Sequence, residues 1–432
     1  MPTKRRINWD VLRILAVLCV LLQHATHAGP SVHSELGRPF FVFSLEFGAS
    51  ALVVISAFFA CASLAKGEPA RFLRNRLARL VPAYVVAATC TYAVLRYLAP
   101  AGWSHLEPRD LLFNALMLQN WFPDVRLVDF SYWTLPVQVT GFVAGALLVS
   151  RVRGRAVKAL LWTLVALPLV TRVWTVEDGV VRTLYDGLGV HRGQLFAIGV
   201  GIWLWSKGRL GDRHLFALLT ACLLAQTVHS ADFESTVGLG VLLIGVCAAA
   251  GGRDWDIAPV RLLARPIKWL AGISYGVYLV HQEIGYVVMA KVAAFGPWTE
   301  LAAFTGTAVV LGWLLTKFVE RPAHRALTTS RPDTSRDPAS GSPVSGNTVS
   351  RDTVSGTTSR TTAGRPAASR PTLVGLLLTA RLHSSQSHLG SVGAVPFSRA
   401  PLWRPVSHAS TSAAAPLTVG DVSLAAVSAQ LR

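Results

Sequence analysis

Charged side chains are what this sequence has least of. Asp, Glu, Lys and Arg make up 15% of its 432 residues and hydrophobic residues 52%, whereas soluble domains carry about 25% charged residues. This composition excludes an ordinary soluble enzyme. The net charge of +18 does not indicate a nucleic-acid partner either, because the Lys and Arg residues form short clusters between apolar runs instead of following one face.

Cysteine motifs are missing as well. The five cysteines all stand inside apolar runs, without a Cys-x-x-Cys or Cys/His spacing. Neither a disulfide framework nor a metal site is therefore expected. A cleavable signal peptide is also not expected, since the first apolar run contains Arg13 and lacks a small-residue cleavage pattern.

Long apolar runs are abundant, and each is long enough to cross a membrane, for which about 17 to 25 residues are needed. They predict an all-α fold, a polytopic membrane bundle of about ten transmembrane helices. The runs lie near residues 11–29, 39–64, 80–99, 133–150, 156–174, 190–206, 213–230, 235–251, 267–290 and 300–319.

The basic clusters set the predicted topology. Most of them fall between alternate apolar runs, at 4–6, 66–79, 151–158, 207–213 and 253–268. Because Lys and Arg accumulate in short cytoplasmic loops, we expect an inner-membrane protein with both termini in the cytoplasm. Residues 1–325 form the predicted membrane domain. Residues 326–432 are rich in Ser, Thr, Arg and Pro, which predicts a disordered cytoplasmic tail.

Two ionisable residues in the first apolar run are the strongest indication of chemistry. Arg13 and His24 are eleven residues apart, so a helix places them on one face, separated by roughly 16 Å along its axis. Histidine is the usual general base near neutral pH, and arginine can bind phosphate or stabilise an oxyanion. The alternative is that His24 bonds a neighbouring helix while Arg13 extends to lipid phosphates.

Three further groups have two interpretations each. The cluster that contains Arg76 and Arg79 can hold the phosphates of coenzyme A or contact anionic lipid headgroups. Tyr275, Tyr278 and His281 in the ninth run can bind an acceptor or link helices. Residues 272–276 match Gly-x-Ser-x-Gly, but their apolar helical context favours close helix packing over a nucleophilic serine.

Several segments resemble, in order, the acyltransferase 3 family of integral-membrane acyltransferases. The first helix carries Asp10, Arg13 and His24, and FLRNRLARLVPAY follows with its paired arginines. Then come YWTLPVQV at 132–139, RGQLFAIGVGIW at 192–203, WLAGISYGVYLVH at 269–281 and FVERP at 318–322. The resemblance covers residues 7–325. Where many relatives carry a carboxylate in the fourth helix, this chain has Gln138, which cannot titrate.

The resemblance implies transfer of an acyl group, expected to be acetyl, from acyl-CoA to a hydroxyl of a carbohydrate, a lipid-linked glycan or a macrolide. It implies His24 and Arg13 as catalytic residues, Arg76 and Arg79 as ligands of the donor's phosphates, and Gln138, Tyr275, Tyr278 and His281 as acceptor contacts. No permanently bound cofactor or metal is expected.

Two other classes of function stay open at the level of sequence. One is a transporter or flippase that uses the same charges along a path, although the inverted repeats and broken helices typical of transporters are not evident in the sequence. The other is a relative without catalytic activity that serves as a sensor, which Gln138 keeps possible.

Overall fold

The computed structural model describes residues 6–103, 105–152, 154–173, 179–230, 232–252 and 254–329. Within these ranges every regular element is helical, and each of the ten predicted runs contains a helix. The predicted helical bundle is therefore confirmed. The last helix continues to Thr328, three residues past the predicted domain boundary, and residues 330–432 of the predicted tail lie outside the described part.

Sixteen α-helices are named here in chain order, all of them within the described ranges. They are α1 Ile7–Gln23, α2 Gly29–Val32, α3 Phe47–Leu64, α4 Pro69–Tyr97, α5 Pro108–Ala115, α6 Thr134–Leu148, α7 Arg155–Val173, α8 Val180–Gly187, α9 Gly193–Ser206, α10 Asp212–Ser230, α11 Phe233–Gly251, α12 Ala258–Leu262, α13 Ala264–Val280, α14 Gln282–Val292, α15 Pro297–Leu315 and α16 Arg321–Thr328. Short 3₁₀ turns lie at Gln119–Trp121, Phe130–Trp133, Val190–Arg192 and Ala293–Phe295, and π-helical turns at His24–Ala28 and Thr316–Glu320.

Five helices of the described part are long and apolar enough to cross a membrane by themselves. They are Ile7–Val32, Phe47–Leu64, Pro69–Tyr97, Phe233–Gly251 and Pro297–Thr328. The remaining predicted runs form shorter, less apolar or interrupted helices, so the number of ten spans stays a prediction.

Small residues allow the central helices to approach closely. A Cβ added to Gly48 of α3 would lie 2.5 Å from the Ala16 carbonyl of α1, and one added to Gly199 of α9 would lie 2.6 Å from the Val54 carbonyl of α3. Backbone-to-backbone packing of this kind is typical of membrane helices. Helix α3 is thus held between α1 and α9 in the largest apolar core.

The motif at 272–276 is a packing element. A Cβ on Gly276 of α13 would lie 2.3 Å from the Gly312 carbonyl of α15, so the two helices touch at this point. The Ser274 hydroxyl donates to the Ala271 carbonyl at 3.0 Å within its own helix. The geometry agrees with the helix-packing interpretation of this segment.

Three of the predicted spans are not continuous α-helices in the described part of the chain. The first span changes to a π-helix at His24–Ala28, the run at 267–290 breaks between α13 and α14 at His281, and the run at 300–319 changes to a π-helix at Thr316–Glu320. These interruptions are not evident in the sequence. They are short, at most 5 residues long, and leave the apolar composition of a span unchanged, so hydropathy does not detect them.

Candidate active site

A cavity of about 720 Å³ opens at the end of the bundle where α1 begins and α9 ends. Its lining is strongly basic and comes from seven α-helices and the π-helical turn at Thr316–Glu320. The Lys and Arg residues that line it are Arg6, Arg13, Arg79, Lys207, Arg321 and Arg325, against two acidic residues, Asp10 and Glu320. The excess of positive charge makes this cavity suited to an anionic ligand that carries several phosphates.

The two predicted phosphate ligands of α4 differ in position. Arg79 lines the cavity, where its Nε donates to Glu320 at 2.7 Å. Arg76 is not among the lining residues; its guanidinium lies between the rings of Phe72 and Phe142, 5.7 and 5.4 Å from their centroids. Its charge is still close enough to those of Arg79 and Arg13 to be repelled by them.

Two tryptophans form aromatic walls of the cavity. Trp9 packs on Phe58 with ring centroids 4.6 Å apart. Trp203 is buried, and its Nε1–H meets no acceptor among the described residues. A planar heterocycle such as adenine could stack here and satisfy such a donor.

Sequence reasoning assigned no ligand role to Trp203, Lys207, Arg321 or Arg325. A signal was present, because Lys207 and the two arginines of α16 each follow an apolar run on the predicted cytoplasmic side. The positive-inside rule explains such residues as topology determinants. This explanation does not require them to lie close together, so their common cavity was not predicted.

His24 lies deeper in the bundle than this cavity. It is half-buried and follows the lining residue Arg13 by eleven residues on α1, which corresponds to about 16 Å along the axis. Its Nδ1 is 3.1 Å from the Tyr286 hydroxyl of α14. Its ring meets that of His281 edge-on with centroids 4.9 Å apart. The structure therefore brings two of the predicted histidines together and adds Tyr286.

His281 causes the break between α13 and α14. Its Nδ1 lies 2.7 Å from the Tyr278 carbonyl, so a side-chain N–H takes the acceptor that a regular helix would offer to the amide of Gln282. Carbonyls accept only, so Nδ1 carries the proton and Nε2 the lone pair. The Nε2 atom is buried without a partner in the described part of the chain.

Two other backbone groups near the break bond to the side chains of Asp129 and Tyr132, just before α6. The Leu279 carbonyl accepts from the Tyr132 hydroxyl at 2.9 Å, and the amide of Glu283 donates to Asp129 Oδ2 at 3.3 Å. Asp129 also accepts from the amide of Ser131 at 2.9 Å. An interrupted helix inside a membrane is tolerated when its free groups are bonded in this way.

Asp129 precedes the span that begins at residue 133 and is nonetheless buried. Burial raises the pKa of its carboxyl to about 6. Its charge and that of Glu283 are close enough to repel each other. These two carboxyl groups therefore share a site that disfavours double ionisation.

A model of the acyltransferase 3 family, described as an acyltransferase domain, matches residues 6–317. The chain belongs to this family. No curated protein and no solved structure matches the sequence significantly. The family and the apolar helices together identify a membrane acyltransferase.

Of the remaining predicted site residues of the acyltransferase, Tyr275 and Tyr278 link distant segments of the chain through hydrogen bonds. The Tyr275 hydroxyl donates to the Leu80 carbonyl at 2.8 Å, and the Tyr278 hydroxyl donates to the Ser131 carbonyl at 2.9 Å. Both protons are thus committed to the backbone. Gln138 is half-buried on α6, one turn beyond Thr134, whose hydroxyl donates to Tyr278 at 3.1 Å.

Proposed function

We propose that this membrane acyltransferase transfers an acyl group, with acetyl the expected one, from acyl-CoA to a hydroxyl of a carbohydrate, a lipid-linked glycan or a macrolide-type metabolite. The observation that carries the proposal is the basic cavity with its two tryptophans. Coenzyme A combines several phosphates with an adenine ring. The phosphates match the basic lining of the cavity, and the adenine ring matches its tryptophans.

The donor phosphates bind Arg321, Arg325 and Lys207, together with Arg79 and Arg13. Coenzyme A carries its thioester at the end of the long pantetheine arm. A separation of about 16 Å between the level of Arg13 and that of His24 suits a donor of this shape, because the phosphates stay in the cavity while the thioester reaches the histidine.

His24 acts as the general base. In the tautomer that donates Nδ1–H to the Tyr286 oxygen, the Nε2 lone pair is free to take the proton of the acceptor hydroxyl. The hydroxyl oxygen attacks the thioester carbonyl, the carbon–sulfur bond breaks, and the sulfur leaves with the electron pair and receives the proton. Gln138 contributes hydrogen bonds only.

Cytoplasmic acyl-CoA requires the basic cavity to face the cytoplasm. This orientation agrees with the positive-inside rule for the loops at 66–79 and 207–213. We therefore place the protein in the inner membrane, in contact with membrane lipids, with its two termini on the cytoplasmic side.

A transporter of charged substrates is the second candidate. It is favoured by one observation, the interruptions of α1 at His24 and of α13 at His281, since broken helices are typical of transport sites. Acyl transfer releases the free thiol of coenzyme A, whereas transport does not, so thiol release distinguishes the two candidates.

The test uses membranes that contain the wild type, His24→Ala or the control His214→Ala, incubated with radiolabelled acetyl-CoA and a lysate of candidate acceptors. His214 lies near the surface, where it accepts from Trp162 Nε1 at 3.2 Å. We expect label transfer and thiol release from the wild type and from His214→Ala, and a loss of about 10²- to 10⁴-fold for His24→Ala.

Folded wild-type protein that releases no thiol from any acyl-CoA would contradict acyl transfer and favour transport. Thiol release that is equal in the wild type and in His24→Ala would contradict the assignment of His24 as the base.

A further inference from the structure

Arg192 is a cation inside the bundle that the proposed function does not use. It ends the 3₁₀ turn just before α9, and its guanidinium stacks on Trp133 with the Cζ atom 4.1 Å from the ring centroid. Its Nε–H is buried and meets no acceptor among the described residues. A buried donor without an acceptor costs about 1–3 kcal/mol. We therefore expect a ligand to accept a hydrogen bond from this Nε–H group.

The depth of Arg192 matches that of His24. Trp203 on α9 and Arg13 on α1 line the same cavity. Arg192 precedes Trp203 by eleven residues, and His24 follows Arg13 by eleven residues. Arg192 and His24 therefore each lie about 16 Å along the helix axis from a residue that lines the cavity. Because α1 and α9 run in opposite directions, the Arg192 guanidinium and the His24 imidazole are placed at a similar depth in the bundle.

The N-terminal end of α3 lies near both Arg192 and the end of α1. Helix α3 separates α1 from α9 lower down but begins only at Phe47. Glu46, just before it, interacts electrostatically with Arg192 and accepts from Gln23 Nε2 at 3.2 Å. Gln23 directly precedes His24 in the chain, so Glu46 links Arg192 to the end of α1 that carries the base.

A second set of contacts leads to the same place. Arg192 interacts electrostatically with Tyr278, the Tyr278 ring lies 5.6 Å from that of His281, and His281 packs against His24 at 4.9 Å. Arg13, in contrast, stands in the cavity about 16 Å below His24 and serves the phosphate end of the donor.

We propose that Arg192 is the catalytic residue that stabilises the oxyanion formed during acyl transfer. This inference rests on the proposed function. When the acceptor oxygen bonds to the thioester carbon, the π-electron pair of the carbonyl moves to its oxygen, and Arg192 binds that charge through its N–H groups. The pair returns as the carbon–sulfur bond breaks, and the thiolate leaves and takes up the proton from His24.

The test measures thiol release from acetyl-CoA without an acceptor, where water takes the acceptor's place, and again with the acceptor lysate. Wild type, Arg192→Lys, Arg192→Gln and the control Arg109→Gln are compared in detergent after their thermal transitions have been checked. Arg109 also lies over an aromatic ring, Phe113, at 5.8 Å, but it is exposed and paired with Asp124.

We expect Arg192→Gln to lower kcat by about 10²- to 10³-fold in both reactions and to leave KM for acetyl-CoA unchanged. Arg192→Lys keeps the charge without the planar fork, so its loss is smaller. Arg109→Gln is expected to behave as the wild type.

The inference would be overturned if both Arg192 variants released thiol without an acceptor at a rate within about twofold of the wild type. The reason is that hydrolysis forms an oxyanion on the same thioester carbonyl as transfer does. Loss of transfer alone, with normal hydrolysis, would assign Arg192 to acceptor binding and overturn it too. Absence of thiol release from folded wild type would instead reject the proposed function, and this inference with it.

Discussion

The Tyr286 hydroxyl is the described hydrogen-bond partner of His24, at 3.1 Å from Nδ1. The hydrogen bond on one ring nitrogen decides which form the other takes. A hydroxyl can accept Nδ1–H or donate to Nδ1. In the tautomer that we propose for catalysis the Tyr286 oxygen accepts, and it then orients His24 as a carboxylate or carbonyl orients a histidine base in other enzymes. Tyr286 lies outside every motif on which the family resemblance rests.

Tyr286→Phe should slow thiol release without unfolding the protein. A neutral hydrogen bond contributes about 1 kcal/mol, or roughly fivefold in rate, and the phenyl ring keeps its packing against Phe304, with centroids 6.1 Å apart. The control is Tyr97→Phe, at a side chain that is 79% exposed. Unchanged thiol release by Tyr286→Phe would show that His24 needs no orienting partner.

Arg13 and His24 could be proposed as site residues from the sequence because ionisable groups are rare in an apolar run and helical spacing fixes their relation. Tyr286 and Trp203 could not be identified in the same way, because aromatic residues are common in membrane helices. Only the three-dimensional packing shows which of them meet a polar partner.

At the level of elements, the sequence predicted where helices lie but not where they deviate. All ten runs contain helices. The thickness of the bilayer requires apolar segments of a certain length, and the prediction rests on the length of the same segments. The break at His281 depends on a side chain 2.7 Å from the Tyr278 carbonyl and on Asp129, 154 residues earlier in the chain than the amide it accepts from. No local pattern contains such a pairing.

Asp129 should make the stability of this break depend on pH. Its folded-state pKa of about 6 exceeds the ordinary value of about 3.9, so the folded state binds the proton more tightly. The stabilisation is complete below about pH 4 and is lost as pH rises through about 6. Asp129→Asn keeps an acceptor oxygen and cannot titrate, so it should reduce this loss.

Thermal transitions in detergent between pH 4 and 7 check this prediction. The wild-type midpoint should fall with rising pH more steeply than that of Asp129→Asn, by about a few degrees. Asp124→Asn serves as the control, because Arg109 lowers the pKa of the exposed Asp124 carboxyl, and a group of that kind loses stabilisation as pH falls. Parallel curves for the wild type and Asp129→Asn would contradict the role of burial.

At the scale of the whole molecule, the proposed donor site and the proposed site of acyl transfer lie at different depths along the bundle axis. The cations that we propose to bind the donor phosphates gather at one end, in a cavity lined in part by the beginning of α1, the end of α9 and α16. The histidines and Arg192 stand about 16 Å further in. An enzyme arranged in this way binds the bulk of its donor far from the bond it breaks, so donor affinity and chemistry can be changed independently.

Donor thioesters with and without phosphates test separately the basic cavity and the region around the histidines. Arg321→Gln with Arg325→Gln should raise KM for acetyl-CoA by about tenfold, as expected when charged hydrogen bonds are lost at a partly solvated site. KM for S-acetylpantetheine, which lacks the phosphates, should not change, and neither should kcat for either donor.

The control for this experiment is Arg71→Gln, which removes a charge from the same predicted cytoplasmic side. Arg71 is paired with Glu68 at 2.9 Å, its side chain is 66% exposed, and it does not line the cavity. A general effect of surface charge would raise KM in this variant too. If instead the α16 variants weaken both donors equally, the arginines shape the cavity without binding phosphate, and the donor end must be sought elsewhere in the bundle.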